Sequence, residues 1–429
     1  MSRIQAFNES ALARQFSKKD FYNDCSLSDN EYRKNVVEKA VEESDRLFPD
    51  GIIYNCFFLG KKKSFSLSSL SQRLVVRTCV SYLKRSFAGC NKSRSKIARE
   101  LRVFLADGTP YNIYRLDIKS FFENIQKEEL ERKVQDIPAL SMHTKKIIKR
   151  MADYFYEVEG VCVPRGIETS SILSDLYLKD FDSYVLSRND VFFYSRFVDD
   201  ILIVASNECD AIAFQEDVTR ALPKGLFFNS SKTEIKVLCK RKKAGSIYYD
   251  NDVAQFDFLG FRFVVADSPL PTKINGGVEV ENGDVAPAVF RKVKVDLSPS
   301  KIKRIKDKLC KSFYSYGKTG DFLLLKDRVR FLSTNREFVK KDNSSIMPVG
   351  IYYNNSACDF PSLQLAHIDK FMRFLLFGND KRLPKIYAGS LSLRQKQELL
   401  KFNFSYGFIN RPHKRFSHNR LAEIVRIWK

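Results

Sequence analysis

The chain has 429 residues, of which 44% are hydrophobic, so it can bury a large core and should form two or three subdomains. Lys and Arg (73) outnumber Asp and Glu (51), and the formal charge of +22 predicts a polyanionic partner, with nucleic acid favoured over a membrane. The sequence lacks an apolar run that could span a bilayer and lacks a signal-peptide core, so we expect a cytoplasmic protein. Nine scattered cysteines without a Cys-x-x-Cys pair argue against structural zinc or a disulfide framework.

Up to about residue 105 the sequence predicts helical, basic stretches such as Leu70–Arg77. The first candidate catalytic residue comes after this region. In Tyr111–Ile125 the first half alternates as a strand does and the second half has helical spacing. Asp117 is therefore predicted to lie at the end of a strand. Farther along, Val163–Leu178 predicts a glycine turn at Gly166 that opens a helix.

The most informative segment is Val191–Val204, which predicts a strand, a tight turn and a second strand, with Asp199 and Asp200 at the turn. Two ionised carboxylates at the tip of a buried hairpin repel each other and lose hydration, so they need a cation, most simply a divalent metal. Turn propensity explains an isolated Asp-Asp pair equally well. If the strand that ends at Asp117 lies beside this hairpin, three carboxylates converge on a patch that can hold two magnesium ions.

Three further segments continue the pattern toward the middle of the chain. Gly225–Thr233 runs from a glycine through apolar residues to a polar stretch that contains Lys232. Phe256–Phe261 alternates, which predicts that Asp257 faces solvent. Residues 269–287 are rich in Gly, Pro and Asn and predict loops around a short hairpin at Val278–Val280.

A helix is predicted next, because Ser298 is a good N-cap and Pro299 suits the first helical position. Over Lys301–Ser312 one face is apolar and the rest is basic, so the helix could pack inward and contact phosphates outward. The apolar face consists of Ile302, Ile305 and Leu309. From about residue 346 the chain is predicted to be helical and basic.

In their order along the chain, the segments around Asp117, Gly166, Asp199, Gly225–Thr233 and Phe256–Phe261 resemble the palm motifs of reverse transcriptases. The resemblance implies an α+β, right-handed polymerase with a ferredoxin-like palm sheet and a helical thumb and C-terminal extension. It divides the chain into fingers with an N-terminal helical region (1–105), palm (106–265), connection with thumb (266–345) and C-terminal extension (346–429).

The same resemblance implies a role for individual residues. Phe122 matches the aromatic gate that excludes a ribose 2′-hydroxyl, so deoxynucleotides are the expected substrates. The catalytic acids, which bind two Mg²⁺ ions together with Ile118, are Asp117, Asp199 and Asp200. The nucleotide-binding residues are Phe121, Phe122, Arg165, Gly166, Lys232 and Arg94, and the primer grip is Phe258, Leu259 and Gly260. Three of these residues also have simpler explanations. Phe122 could be an ordinary core side chain, Lys232 a surface lysine and Gly166 only a turn residue.

Two departures from the usual motif lie near the glycine turn. Most reverse transcriptases have Gln at the position of Arg165 and Pro at the position of Ser171, so contacts to template and nucleotide there are expected to differ. The segments Thr169–Leu173, Arg330–Asn335 and Val349–Tyr353 resemble bacterial defence-associated reverse transcriptases related to abortive-infection polymerases. That resemblance implies antiphage defence through cDNA made from a dedicated non-coding RNA.

The expected partners are an RNA template, the DNA product and dNTPs, with a homo-oligomer or a partner defence protein such as a second reverse transcriptase as further options. A template-independent or protein-primed DNA polymerase is the main alternative, and it would extend DNA after RNA is digested. An RNA-dependent RNA polymerase is disfavoured by the bulky Phe122. A non-catalytic RNA-binding protein is disfavoured because Asp117, Asp199 and Asp200 are all present.

Overall fold

The computed structural model describes residues 5–60, 62–87, 92–208, 210–239, 251–267, 291–339, 346–378 and 391–428. The chain forms two compact units, the first comprising Met1–Lys92 and Pro110–Leu238, the second comprising Ser93–Thr109 and Cys239–Lys429. The hairpin predicted at Val278–Val280 lies outside the described residues. The division into fingers, palm and thumb stays a prediction. In the part of the chain that is described, no helix is both long and apolar enough to cross a membrane.

The described residues form α-helices, short strands and a few 3₁₀ turns. The α-helices are α1 Glu9–Ala13, α2 Lys18–Asn23, α3 Asn30–Asp45, α4 Leu70–Ser86, α5 Arg94–Leu105, α6 Lys127–Gln135, α7 Met142–Glu159, α8 Ser170–Tyr177, α9 Lys179–Leu186, α10 Ala211–Arg220, α11 Pro299–Thr319, α12 Phe322–Ser333, α13 Leu363–Phe377, α14 Leu393–Leu400, α15 Phe404–Asn410 and α16 His418–Arg426. The strands are β1 Tyr54–Leu59, β2 Lys62–Leu67, β3 Tyr111–Asp117, β4 Val191–Phe197, β5 Asp200–Ser206, β6 Glu234–Leu238, β7 Asn251–Phe258, β8 Phe261–Asp267, β9 Lys292–Leu297, β10 Asn335–Val339 and β11 Ile346–Gly350. Short 3₁₀ turns occur at Cys25–Ser28, Phe122–Asn124 and Tyr353–Asn355.

The first unit is built on a four-stranded antiparallel sheet in the order β4-β5-β3-β6. Along the chain, β3 is followed by helices, then by the β4–β5 hairpin, α10 and β6, which is the βαββαβ order of ferredoxin-like folds. The central strands β3 and β5 are buried along most of their length, as expected for runs of β-branched and aromatic residues that are covered on both faces. Phe214 of α10 packs against Tyr114 of β3, with 4.5 Å between the ring centroids.

The second unit contains the three-stranded sheet β7-β8-β9, the two-stranded sheet β10-β11 and helices α11 to α16. The predicted start of α11 is confirmed, because the Ser298 side chain accepts a hydrogen bond from the backbone of Lys301 and Pro299 occupies the first turn. Ile302 and Leu309 of its apolar face are buried in the core of this unit. The segment from residue 346 opens with the strand β11 before its helices begin.

Candidate active site

Two of the predicted acids face each other at one end of the first unit's sheet. Asp117 is the last residue of β3 and Asp200 is the first residue of β5, and the two are directly paired across the antiparallel ladder. Residues paired in this way have Cβ atoms about 4.5–5.5 Å apart on the same face. The backbone N–H of Ile118 donates to the carbonyl of Asp199 at 3.2 Å, which holds the third acid beside them. The predicted neighbourhood of the strand and the hairpin is therefore confirmed.

The third acid lies in a strained turn. Phe197 pairs with Asp200, so Val198 and Asp199 form a two-residue connection between β4 and β5. Val198 has φ of +63°, in the left-handed region that a β-branched residue rarely adopts. Such a conformation costs about 1–2 kcal/mol, so neighbouring contacts must hold the turn in this shape.

The carboxylates create a locally negative environment. Burial, followed by the charges of Asp199 and Asp117, raises the pKa of Asp200 above its usual range. The ionised form of Asp200 is therefore disfavoured by lost hydration first and by its like-charged neighbours second. The group is thus poised to be stabilised by an added cation.

Lys232 is brought to this site by the chain that follows α10. Its ammonium group lies 2.9 and 3.0 Å from the two carboxylate oxygens of Asp117. The segment is fixed to β3 because Lys119 N–H donates to Phe227 O at 3.0 Å and Asn229 N–H donates to Asp117 O at 2.8 Å. The Lys232 side chain is 55% exposed, so it can leave Asp117 without unpacking a core.

The donor chemistry fits divalent metal ions. Asp117, Asp199 and Asp200 supply carboxylate oxygens, the ligands that hard cations such as Mg²⁺ prefer. Among the residues described, no three Asp, Glu, His or Cys side chains come together closely enough to enclose an ion. Lys232 instead neutralises Asp117. Binding of a metal there therefore requires the lysine to give up or share that carboxylate.

The predicted sugar gate is assembled from two motifs. The Arg165 guanidinium lies over the Phe122 ring, 4.7 Å from its centroid, and donates to the Glu123 carboxylate at 3.3 Å. Phe122 is 8% exposed, and its ring contacts fully buried Phe121 with 5.3 Å between centroids. The face of an aromatic ring attracts a cation that lies over it, so Arg165 restrains the Phe122 ring.

Gly166 allows the loop beside the gate to approach strand β2. It has φ of +100°, and a Cβ at this position would lie 2.5 Å from the carbonyl oxygen of Phe65. The Phe65 N–H donates to the Arg165 carbonyl at 2.7 Å, which fixes this contact. Only glycine satisfies both the positive φ and the close approach.

A buried arginine behind the turn was not singled out by the sequence. Arg196 in β4 has a side chain that is 1% exposed and donates to Asp182 of α9 at 2.8 and 2.6 Å. One guanidinium nitrogen also donates to Asp175 of α8 at 3.2 Å and to the Val198 carbonyl at 3.1 Å. Burial disfavours the charge, but the hydrogen bonds and charge of Asp182 raise the pKa of Arg196, so it stays ionised. The available signal was an arginine within an otherwise apolar strand.

Asn229 also escaped prediction as a site residue. Its side-chain amide donates to Asp117 at 3.4 Å, beside the contact from Lys232. The signal in the sequence was an Asn two residues before Ser231, whose N–H and hydroxyl it accepts in a local turn.

The other predicted site residues belong to the second unit. Arg94 is the first residue of α5, and Phe258, Leu259 and Gly260 lie at the β7–β8 hairpin. Leu259 and Gly260 form a two-residue connection with φ of +50° and +85°, which confirms the predicted hairpin. Their assignment to nucleotide binding and primer grip stays a prediction.

Comparison with known proteins shows which family this part of the chain is similar to. Residues 72–263 match the family described as "Reverse transcriptase (RNA-dependent DNA polymerase)", a little under half of the chain. Domains of this kind generally use divalent metal ions. No curated protein matches the chain. Among solved structures, apo telomerase from Candida tropicalis is similar, with a TM-score of 0.38 and 11% identity over 88% of this chain. The chain spans 60% of the length of that telomerase chain.

The family match covers β3, the β4–β5 hairpin and β6, and therefore all three carboxylates. The family that it names, RNA-dependent DNA polymerases and hence nucleotidyltransferases, agrees with the predicted enzyme class. Residues 72–263 are thus similar to the reverse transcriptase family.

Proposed function

We propose that the protein extends a DNA strand on an RNA template, with Asp117, Asp199 and Asp200 holding two Mg²⁺ ions. The observation that carries this proposal is the pairing of Asp117 with Asp200 beside the strained turn of Asp199, within the residues that match the reverse transcriptase family. The carboxylates lie at one end of a buried sheet, where a rigid scaffold can hold them in one geometry.

When bound, the two ions would lower the pKa of the primer 3′-hydroxyl and compensate the charge of the triphosphate. The protein's own contribution is to position the three carboxylates and to exclude water on the buried side of β3 and β5. Lys232 is long, half-exposed and already at Asp117, so it can exchange that carboxylate for a phosphate oxygen of the nucleotide. There it would stabilise negative charge on the leaving pyrophosphate.

Phe122 would select deoxynucleotides by occupying the space that a ribose 2′-hydroxyl needs. Arg165 over its ring and Glu123 beside that arginine support this role, because they restrain the ring from swinging away. Arg165 replaces the Gln that most reverse transcriptases carry here, so the gate in this chain is supported by a charged residue.

The nucleic-acid partner in this proposal is a dedicated non-coding RNA, copied as part of bacterial antiphage defence. The net charge of +22 supports a polyanionic partner, and the motif resemblances around Thr169–Leu173 and Val349–Tyr353 support the defence role. A second copy of the chain or a second reverse transcriptase would be a further partner in that setting.

The test is primer extension on an RNA of defined sequence, with Mg²⁺ and all four dNTPs. We expect DNA whose sequence is complementary to the RNA, and we expect synthesis to stop when the template is digested with RNase before the reaction. A product that ignores the template sequence and survives RNase treatment would contradict the proposal and favour template-independent synthesis. Replacing dNTPs with NTPs tests the sugar preference in the same assay.

A further inference from the structure

The guanidinium of Arg196 joins three elements of the first unit at one point. Two of its nitrogens bind both carboxylate oxygens of Asp182, while the third also contacts Asp175 and the Val198 carbonyl. Burial and the Asp182 carboxylate keep the Tyr194 hydroxyl protonated by raising its pKa, and that hydroxyl donates to the same carboxylate. Helices α8 and α9 are thereby tied to the turn that follows β4.

The contact with Val198 bears on the catalytic acids. The Val198 carbonyl belongs to the peptide group that leads into Asp199, so its direction sets the orientation of the Asp199 backbone. Val198 holds a φ of +63° that a β-branched side chain disfavours, and a relaxed turn would carry Asp199 elsewhere. The hydrogen bond from Arg196 at 3.1 Å favours the strained orientation over the relaxed one.

We infer that Arg196 is a positioning residue that holds the Val198–Asp199 peptide, and through it the Asp199 carboxylate, in the geometry needed for nucleotide transfer. This inference rests on the proposed function, because it assigns Asp199 to the reaction. Asp182 orients the guanidinium by pairing with it through both oxygens, and Asp175 restrains the nitrogen that reaches the turn.

The chain offers a matched control for a purely structural role. Arg188 forms the same kind of two-point pair with Asp190, at 2.9 and 2.7 Å, next to the other end of β4. Arg188 also lies over the Phe214 ring, so it contributes to packing within the same unit. It makes no contact with the turn among the hydrogen bonds described for it. Arg188→Lys therefore removes a similar pair without touching Asp199.

The experiment compares Arg196→Lys with Arg188→Lys and the wild type. Lysine keeps the charge but cannot bind Asp182 at two points and reach the turn as well. We expect Arg196→Lys to lower kcat for single-nucleotide incorporation by at least about tenfold, while KM for the dNTP changes less than about twofold. The reason is that a displaced Asp199 carboxylate weakens stabilisation of the transition state more than it weakens binding of the dNTP. Hydrogen exchange of the peptide spanning residues 194–201 should be faster in this variant. Arg188→Lys should leave kcat, KM and the hydrogen exchange of this peptide unchanged.

Several outcomes would overturn the inference. One is a kcat for Arg196→Lys within about twofold of wild type, and another is an equal loss in Arg188→Lys. If Arg196→Lys does not fold, Asp175→Asn replaces it, because Asp175 is partly exposed and contacts only the arm that reaches the turn. We expect kcat to fall at least about threefold there, and an unchanged kcat would reject the inference. If the wild type incorporates no dNTP, the proposed function fails, while the exchange comparison still tests whether Arg196 holds the turn.

Discussion

At the residue scale, Arg165 and Glu123 together support the ring of Phe122, the predicted sugar gate. Arg165 lies over the Phe122 ring and is itself held by Glu123. Phe122 is nearly buried, so only a small part of it is left to contact a nucleotide. Selection against ribose should therefore depend on Phe122 directly and on Arg165 indirectly.

We expect Phe122→Ala to improve the relative kcat/KM for NTPs over dNTPs by about 10- to 100-fold, the range that one steric contact in a pocket provides. Arg165→Gln should improve it by only about 3- to 10-fold, because a cation over an aromatic face contributes about 0.5–2 kcal/mol. The measurement is competitive incorporation of matched NTP and dNTP pairs.

The control for the gate variants is Phe57→Ala, which removes an exposed phenylalanine from β1. Its discrimination should equal that of the wild type. If Phe122→Ala also leaves discrimination unchanged, Phe122 is a core residue and the gate must lie elsewhere.

The residues of the site differ in how visible they were in the sequence. Asp117, Asp199 and Asp200 stood out because carboxylates interrupt apolar strand patterns, and Gly166 stood out as a turn. Arg196 and Asn229 did not stand out, because their roles depend on partners that lie on other elements. Asn229 and its partner Asp117, for example, are 112 positions apart in the sequence. Local periodicity carries no information about such contacts.

At the scale of elements, the start of α11 and the β7–β8 hairpin together partly bury the charged side chain of Lys301. Lys301 donates to the Asn354 carbonyl at 3.3 Å, and its ammonium lies 5.0 Å from the centroid of the Phe261 ring. Burial, with smaller contributions from the charges of Arg94 and Arg304, lowers the pKa of Lys301 to about 8. The helix itself was predicted from Ser298 and Pro299, whereas this burial depends on packing that the sequence does not display.

The lowered pKa has a consequence for stability. In the unfolded chain the lysine has a pKa of about 10.4, so between about pH 8 and pH 10 the unfolded state binds the proton more tightly than the folded state. Folding stability attributable to Lys301 therefore rises with pH in this window and is lost as the pH falls through 8. As the pH is raised from about 7.5 to 10, the free energy of unfolding of the wild type should increase relative to that of Lys301→Met.

The measurement is urea unfolding of both proteins across this pH range. Lys303→Met is the matched control, since it removes the same charge from an exposed position two residues farther along α11. An identical pH dependence for both variants would contradict the lowered pKa of Lys301.

At the scale of the whole chain, the two units differ in how far their architecture could be predicted. The ferredoxin-like sheet of the first unit was expected from the resemblance that the ordered motifs carry, whereas the β4–β5 hairpin was predicted from the residue pattern of Val191–Val204. In the second unit, β10 and β11 were not predicted, because strands of five residues with mixed polarity have too little periodicity to stand out.

The most direct test of the central claim, that this chain makes DNA through Asp117, Asp199 and Asp200, is primer extension on an RNA template by Asp199→Ala with Asp200→Ala. A matched variant, Glu38→Ala with Glu42→Ala, removes two exposed carboxylates from α3. Removing residues that act together in transition-state stabilisation should abolish detectable incorporation, while RNA binding and thermal unfolding stay close to those of the α3 variant. Incorporation of dNTPs by the Asp199→Ala, Asp200→Ala protein at the rate of the α3 variant would contradict the account.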